Sequence, residues 1–378
     1  MAGLKTIFEL LQGRIASAIR KTESTPVFSF ETVLLILSFV YGGMMRLRAR
    51  MYAAGVLPSR SLPCPVISIG NVTAGGTGKT PMTILVAQLI RDMGYRVVVI
   101  SRGYRGRLET TGGIVSDGET IFLEPEDAGD EPTLMARVLK GIPVLVGRRR
   151  YETGRLAINR FNPDVIVLDD AFQHMGLQRD LNLVLLDSRS AFGNGYLLPR
   201  GPLREPESAL ERAHAVVYTR CGQPSCTPLR PRTFPGPRPI FCTKHAPVIR
   251  TVVSKAGPTL TESTDLSLLA FRRVVAFGGV ADNRTFFDSL EEVGCVVLKK
   301  YFFPDHHRYR IEELAAIAES AEKLGAEMVV TTFKDFVKVA TFRGWTRQLV
   351  AVDVDIEFCT DRRRFKSFIA DALGLNIF

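Results

Sequence analysis

Cysteine is scarce and scattered: Cys64, Cys221, Cys226, Cys242, Cys295 and Cys359 recur at no regular spacing. No secretory signal accompanies them, so a disulfide-built fold is set aside in favour of buried or free thiols. Cys221, Cys226, Cys242 and His245 match no standard zinc spacing. There is no low-complexity tract and no internal repeat. No recognisable nucleic-acid motif, and no basic stripe interleaved with aromatics, accompanies the net charge of +10, so nucleic acid is not an expected partner. Nor does any apolar run reach the roughly 20 residues of a membrane span. The nearest, Thr32–Met45, is bounded by Glu31 and Arg46. It lies too far from the N-terminus for an ordinary signal peptide and lacks a cleavage site.

With 46% hydrophobic and 23% charged residues the chain is an ordinary globular protein, and 378 residues point to two domains. The charge is uneven, since residues 1–60 carry eight Lys/Arg against three Glu. The apolar run is followed directly by Arg46, Arg48 and Arg50. Such a helix suits the headgroup region of an anionic membrane, or alternatively a soluble core.

The most informative stretch is Gly70–Thr80, GNVTAGGTGKT. The apolar run Pro65–Ile69 precedes it and the periodic stretch Met82–Met93 follows. Strand, glycine-rich turn and helix together make a phosphate-binding loop. Thr73, Ala74, Gly75, Gly76, Thr77, Gly78, Lys79 and Thr80 form the nucleotide cradle. The glycines let backbone N–H groups turn around phosphates, and the helix dipole favours the same anion. Lys79 reaches the β- and γ-phosphates, and the Thr80 hydroxyl serves Mg²⁺. Thr73 stands where the strict pattern has glycine.

Apolar runs at 96–101, 143–146, 165–168 and 183–186, with helical stretches between, predict a parallel sheet with helices on both sides. The Pro/Gly-rich stretch 223–239 breaks the series, and a second strand–helix alternation follows from Val274. The expected division is 1–60, an apolar and basic membrane-associated segment; 61–225, a phosphate-loop domain; 226–260, a linker; and 261–378, a smaller α/β domain.

Val165–Asp170, VIVLDD, is a strand ending in two carboxylates, so Asp169 or Asp170 is placed to hold Mg²⁺ opposite Lys79 and Thr80. In GDEP, Asp130 is either the N-cap of a helix or a catalytic carboxylate. Asp305–His306–His307 offers acid–base chemistry or capping. Arg102 ends a strand within reach of a phosphate, and Arg150 lies in a basic helix start. Asn194 and Arg204 belong to a glycine- and arginine-containing loop, Phe192–Arg204, suited to an amphiphilic ligand.

Taken together, GNVTAGGTGKTP, SRGYRG, GDEP, DDAFQH, FGNGYLLPRGPLRE, the DH of FPDHH and KDFVK occur in one order over about residues 60–340. In this the chain resembles the tetraacyldisaccharide 4'-kinases of lipid A biosynthesis. Thr73 is shared with that family. Ala171 replaces its usual glycine, and Phe333 replaces a frequent Glu, leaving the role of that position open. The resemblance implies an α/β, phosphate-loop NTPase-like fold of two α/β/α domains joined by a short β linker, with an N-terminal membrane-associated helix. It implies transfer of the γ-phosphate of ATP, with Mg²⁺, to the 4'-hydroxyl of a tetraacyldisaccharide 1-phosphate, giving lipid IV-A. Asp130 then falls on the general base, His306 on the histidine that tunes it, and Lys79 on the phosphate-loop lysine. The implied setting is the cytoplasmic face of the bacterial inner membrane, peripheral or monotopic, on an anionic surface, with no protein partner implied. On the residues alone, a phosphate-loop switch or transport ATPase without a lipid acceptor stays the alternative, as does a nucleotide-binding membrane adaptor.

Overall fold

The computed structural model describes residues 29–222, 231, 233–254, 257–263, 266–359 and 362–375. Residues 1–28 of the first segment, and part of the Pro/Gly-rich stretch including Cys226, lie outside them. In chain order come helix α1 (Phe30–Ala53), strand β1 (Val66–Asn71), α2 (Lys79–Arg91), β2 (Val97–Ser101), β3 (Gly113–Ser116), α3 (Pro125–Ala128) and α4 (Asp130–Val138). Then follow β4 (Val144–Val146), α5 (Arg150–Phe161), β5 (Val165–Leu168), β6 (Leu181–Asp187), β7 (Ala215–Thr219), β8 (Ile240–Ser254) and β9 (Gly257–Ser263). The chain continues through β10 (Arg273–Gly278), α6 (Asn283–Glu292), β11 (Val296–Phe302), α7 (Ile311–Lys323), β12 (Met328–Thr332), α8 (Phe333–Val339), β13 (Gln348–Phe358) and α9 (Arg362–Leu373). The class is α/β, as the alternation of apolar runs and amphipathic stretches implies.

The chain forms two compact units, each assembled from separated stretches. The first combines residues 1–79, 164–244 and 358–378. Its centre is β1, which pairs in parallel with β5 on one side and β6 on the other. β6 pairs in parallel with β7, and β7 with the start of β8. Every residue of β1 is buried, which is why its sequence, VISIGN, lacks the alternation of a half-exposed strand. Phe365 of α9 packs edge-on against Phe241, 4.9 Å between ring centres. Because the strands are parallel, the loops leaving β1 and β5 emerge at one edge, where open α/β sheets bind ligands.

Helix α1 belongs to the same unit. Ser29 caps it by accepting from the Thr32 amide. Leu34, Ser38 and Gly42, spaced by four residues, form its buried face. Ser38 Oγ donates to the Leu197 carbonyl at 2.7 Å and accepts from the Arg200 amide at 3.0 Å. The Tyr41 hydroxyl donates to the Arg204 carbonyl at 2.8 Å. The opposite stripe, including Val33, Ile36, Leu37, Val40, Met44 and Leu47, is exposed. The helix is longer than the run Thr32–Met45, because the arginines that follow are good helix formers and simply extend it.

The second unit combines residues 80–163 and 245–357. In its first part β2 and β4 are parallel, while β3 runs antiparallel to β4. That strand corrects the all-parallel reading: the four residues GIVS carry too short an apolar pattern to register. In its second part β10 lies between β11 and β12, with β13 beyond β12, all parallel. β8 and β9 form an antiparallel ribbon. Helices α4 and α8 meet within this unit, where the Arg137 guanidinium lies over the Phe336 ring. Phe333 is buried and stacks on Phe336, 5.8 Å between centres, so this position packs rather than carries charge.

Two glycines predict opposite outcomes. A Cβ on Gly70 meets Phe172 Cβ at 2.5 Å and its backbone nitrogen at 2.8 Å, whereas one on Gly43 meets nothing within 4 Å. Gly70→Ala is expected to destabilise the protein by ~1–3 kcal/mol through overpacking. Gly43→Ala should be neutral or stabilising by up to ~1 kcal/mol through helix propensity. Denaturant midpoints of the two variants against the parent check both signs.

Candidate active site

The first unit presents the phosphate loop. Gly75 and Gly78 hold φ of 119° and 81°, a region closed to most side chains. The loop is tied from several directions. Ala74 N donates to the Pro202 carbonyl at 2.7 Å. Asn71 Nδ2 donates to Thr77 Oγ1 at 3.0 Å, and Thr219 Oγ1 donates to the Thr77 carbonyl at 3.0 Å. Thr73, the departure from the strict motif, is buried and bridges to Leu203. Its side chain therefore packs while the glycines that follow do the turning. Lys79 opens α2, its ammonium 3.4 Å from the Gly75 carbonyl and 3.9 Å from Asp170 Oδ1. Thr80 is the next residue of that helix.

The two strand-end carboxylates differ in setting. Asp169 is 1% exposed. Asp170 has a left-handed backbone, φ 45°, and receives Arg204 Nη1 on both oxygens, at 2.9 and 3.1 Å. Arg204 is thus paired with the second of the strand-end carboxylates. Nearby, Gln173 Nε2 donates to the Asn71 carbonyl at 2.8 Å. Asn194 braces its own loop, donating to the Arg200 carbonyl at 3.1 Å and accepting from the Tyr196 amide at 3.2 Å. Among the described residues no three His, Cys, Asp or Glu side chains converge as a metal cage. Two carboxylates at one strand end nevertheless suit Mg²⁺, which takes one or two protein carboxylates and completes its shell with phosphate and water.

The second unit holds Asp130. The N-cap expectation is corrected here: Gly129 is the cap residue and Asp130 the first residue of α4. Gly129 has φ 91°, and a Cβ there would meet the Tyr104 carbonyl at 2.9 Å. The Asp130 carboxylate, released from capping, accepts a hydrogen bond from His306 Nδ1 at 3.0 Å on Oδ2. His306 has φ 60°, an uncommon conformation for a non-glycine residue. Tyr104 fixes its ring edge-on at 5.6 Å. Asp130, His306, Tyr104, Arg105, Arg308 and Lys338 line a cavity of about 220 Å³. Burial works to raise the Asp130 carboxyl, but the His306 hydrogen bond and the Lys338 charge outweigh it, and the group titrates below its usual range.

Of the other candidates in this unit, Arg102 pairs with Glu109 at 2.7 Å. Arg150 is buried at the start of α5, and its guanidinium donates to the Gly147 carbonyl. His307 bonds Glu313 at 2.9 Å and stacks on Phe303, so the second histidine of the pair braces the start of α7. Tyr104 and Lys338 carry no signal of their own in the sequence beyond membership of the motifs SRGYRG and KDFVK. Arg105, Arg308 and Tyr309 also line the cavity.

These features agree with what comparison finds. The profile of the tetraacyldisaccharide-1-P 4'-kinase family matches residues 30–374. The chain belongs to this family. A tetraacyldisaccharide 4'-kinase of Desulfatibacillum aliphaticivorans is 39% identical over 97% of this chain and 99% of its own length. One from Syntrophus aciditrophicus is 45% identical over 82% of this chain and 85% of its own. The crystal structure of LpxK from Aquifex aeolicus in complex with ATP superposes with a TM-score of 0.72 at 31% identity, covering 91% of this chain and all of that one.

The depressed Asp130 carboxyl has a consequence for stability. A carboxylate with a lowered folded pKa contributes stability above the ordinary carboxylate value of 3.8, and that contribution disappears as pH falls through the folded value. Asp130→Asn mimics the protonated form. Its stability deficit should be full near neutrality and shrink as the pH is taken below about 4, read as urea midpoints of the two proteins across that range.

Proposed function

We propose that this protein is an ATP-dependent lipid kinase that phosphorylates the 4'-hydroxyl of a tetraacyldisaccharide 1-phosphate, giving lipid IV-A and ADP. The observation that supports it most is a His-paired Asp130 lining a cavity, in a chain that also carries the GGTGKT loop. In a switch or transport ATPase such a base would act on water rather than on an acceptor hydroxyl. The cradle Thr73–Thr80 binds the nucleotide phosphates, and Lys79 neutralises charge on the transferring group. Thr80, Asp169 and Asp170 would hold Mg²⁺, which supplies charge neutralisation at the phosphates when bound.

Asp130 takes the proton of the acceptor hydroxyl. As it does so, the new oxygen–phosphorus bond forms and the bond from the γ-phosphorus to the β–γ bridging oxygen breaks, releasing ADP. His306 donates from Nδ1 to Oδ2, which keeps the carboxylate oriented and leaves Oδ1 as the oxygen for the incoming proton. Arg102 and Asn194 are candidates for holding the lipid, whereas Arg150 is buried on the Gly147 carbonyl and Arg204 keeps Asp170 in place.

Helix α1 brings the enzyme to its substrate. It is long and apolar enough by composition to cross a bilayer, but its inner face is occupied by the Leu197–Arg204 segment. A helix fixed along one side and apolar on the other lies in the interface, with Arg46, Arg48 and Arg50 toward anionic headgroups. The setting is the cytoplasmic face of the inner membrane, where ATP is available.

Transfer of labelled phosphate from ATP to purified tetraacyldisaccharide 1-phosphate tests the activity; ADP release indifferent to the lipid would favour the ATPase reading. Lys79→Ala should cut transfer by several orders of magnitude. Asp130→Asn should cost ~10²–10⁴-fold while ATP still binds. His306→Ala should cost less, and adding it to Asp130→Asn should change little, since the two act as one unit. Multiplicative losses would instead make them independent.

The membrane reading has its own test. Wild-type protein should partition with vesicles containing anionic lipid and be released in part by high salt. Val40→Asp with Met44→Asp should move it to the soluble fraction. Resistance to both salt and alkaline carbonate would mean that α1 spans.

A further inference from the structure

Helix α8 turns two lysines toward the Asp130–His306 pair, and the transfer chemistry above assigns a role to neither. Lys334 Nζ lies 3.4 Å from His306 Nε2 and 3.0 Å from Asp305 Oδ1, with Glu131 Oε1 at 3.7 Å. Lys338 Nζ lies 3.8 Å from Asp130 Oδ2 and 2.6 Å from Asp335 Oδ1. Their four-residue spacing puts both on one helix face.

That face is fixed by Asp335, which has no exposed surface. Its Oδ2 accepts from the Gly279 amide at 2.7 Å and from Thr332 Oγ1 at 2.7 Å. Thr332 also caps α8 by accepting from the Asp335 amide. The Lys338 ammonium sits over the Tyr309 ring at 5.3 Å, and its side chain is only 9% exposed.

We propose that Lys334 and Lys338 are positioning residues of the phosphoryl transfer, Lys334 fixing the tautomer of His306 and Lys338 holding the Asp130 carboxylate as an anion at the cavity. An ammonium has three donors and no acceptor. Lys334 therefore makes Nε2 the accepting nitrogen of His306, which puts the ring hydrogen on Nδ1, facing Asp130. With the opposite tautomer the carboxylate and Nδ1 would meet lone pair to lone pair. Lys338 stands too far from Oδ2 to take a full hydrogen bond, so it supplies field without capturing the oxygen. A neutral residue there would leave a poorly hydrated carboxylate inclined to stay protonated. The inference rests on Asp130 being the base, as under Proposed function.

The groups facing Asp130 are His306, Asp305, Arg308 and Tyr309 from the segment before α7, and Lys334 and Lys338 from α8. Glu131 lies on its own helix, Glu126 on α3, and Tyr104 and Arg105 on the loop after β2. Burial disfavours the charge on Lys334, but Glu131 and Asp305 outweigh it and push its pKa up, so it stays a cation across the working range. Burial, and then Asp335, push the Tyr309 hydroxyl up, so it stays neutral there.

The test is the pH–rate profile of full-length enzyme with ATP and tetraacyldisaccharide 1-phosphate. Lys338→Met should lower kcat on the order of tenfold or more, leave the KM for ATP unchanged, and shift the acid limb of kcat/KM to higher pH. The sign follows because loss of a cation that favours the carboxylate lets Asp130 keep its proton to higher pH. Lys334→Met should also lower kcat, but add little in a His306→Ala background, since it acts through that ring. An acid limb unmoved by Lys338→Met would make Lys338 a mere counter-ion of Asp335 and overturn its half of the proposal. Multiplicative losses for Lys334→Met with His306→Ala would overturn the other half. If Lys338→Met does not fold, Lys338→Gln, which keeps the stem over Tyr309, is read by the same criterion. An active Asp130→Asn would overturn the base assignment itself. An inactive Asp130→Asn beside an unshifted Lys338→Met would overturn only the role of Lys338.

Discussion

A carboxylate with no access to water must be compensated, and Asp335 meets that constraint with a backbone amide and a hydroxyl on Oδ2 and an ion pair with an ammonium at Oδ1. Each partner comes from a different place: the end of β10, the cap of α8, and the next turn of α8. The requirement therefore locks a seven-residue helix, too short to be stable alone, against the sheet edge. On the helix so held, Lys338 lies 3.8 Å from Asp130 and Lys334 3.4 Å from His306.

The fold was legible wherever burial is uniform. Strands such as Val165–Leu168 are apolar on both faces, and no other element of that length and composition is available to them. The N-terminal helix was legible in kind but not in length, since arginines extend a helix without adding to an apolar run. What stayed hidden depends on partners remote in sequence. β3 is an edge addition of four residues, and α8 follows its strand without a loop to mark it. The β8–β9 ribbon falls largely within the expected linker 226–260, where the family resemblance implies a short β linker and the residue pattern alone gives a boundary or an extended connection.

The site divides in the same way. The phosphate loop was readable because its chemistry is local, being glycines, one lysine and one hydroxyl within a single turn. The strand-end carboxylates were readable for the same reason. Asp130 was ambiguous between capping and chemistry, and a one-residue register decides it. With Gly129 at the cap, the carboxylate is freed to turn toward a ring 176 positions away in sequence. Lys338 could not be singled out by any pattern, since its significance is a distance to Asp130 and a seat on Tyr309. Arg204 shows the reverse case, where a plausible lipid contact proves to hold Asp170 at two oxygens.

The two carboxylates to which the proposed function assigns roles share one electrostatic arrangement. Lys79 stands 3.9 Å from Asp170, and Lys338 stands 3.8 Å from Asp130. In each case the carboxylate's close hydrogen bond is made by another group, Arg204 or His306. At about 4 Å and an effective dielectric of 20, two unit charges attract by roughly 4 kcal/mol, and at Asp130 this adds to the His306 hydrogen bond in keeping the carboxyl below its usual range. The same separation is too long for the lysine to satisfy the oxygen it faces. At Asp130 both contacts fall on Oδ2, so charge is fixed in place from one side of the carboxylate, which is the condition under which its other oxygen could accept a proton.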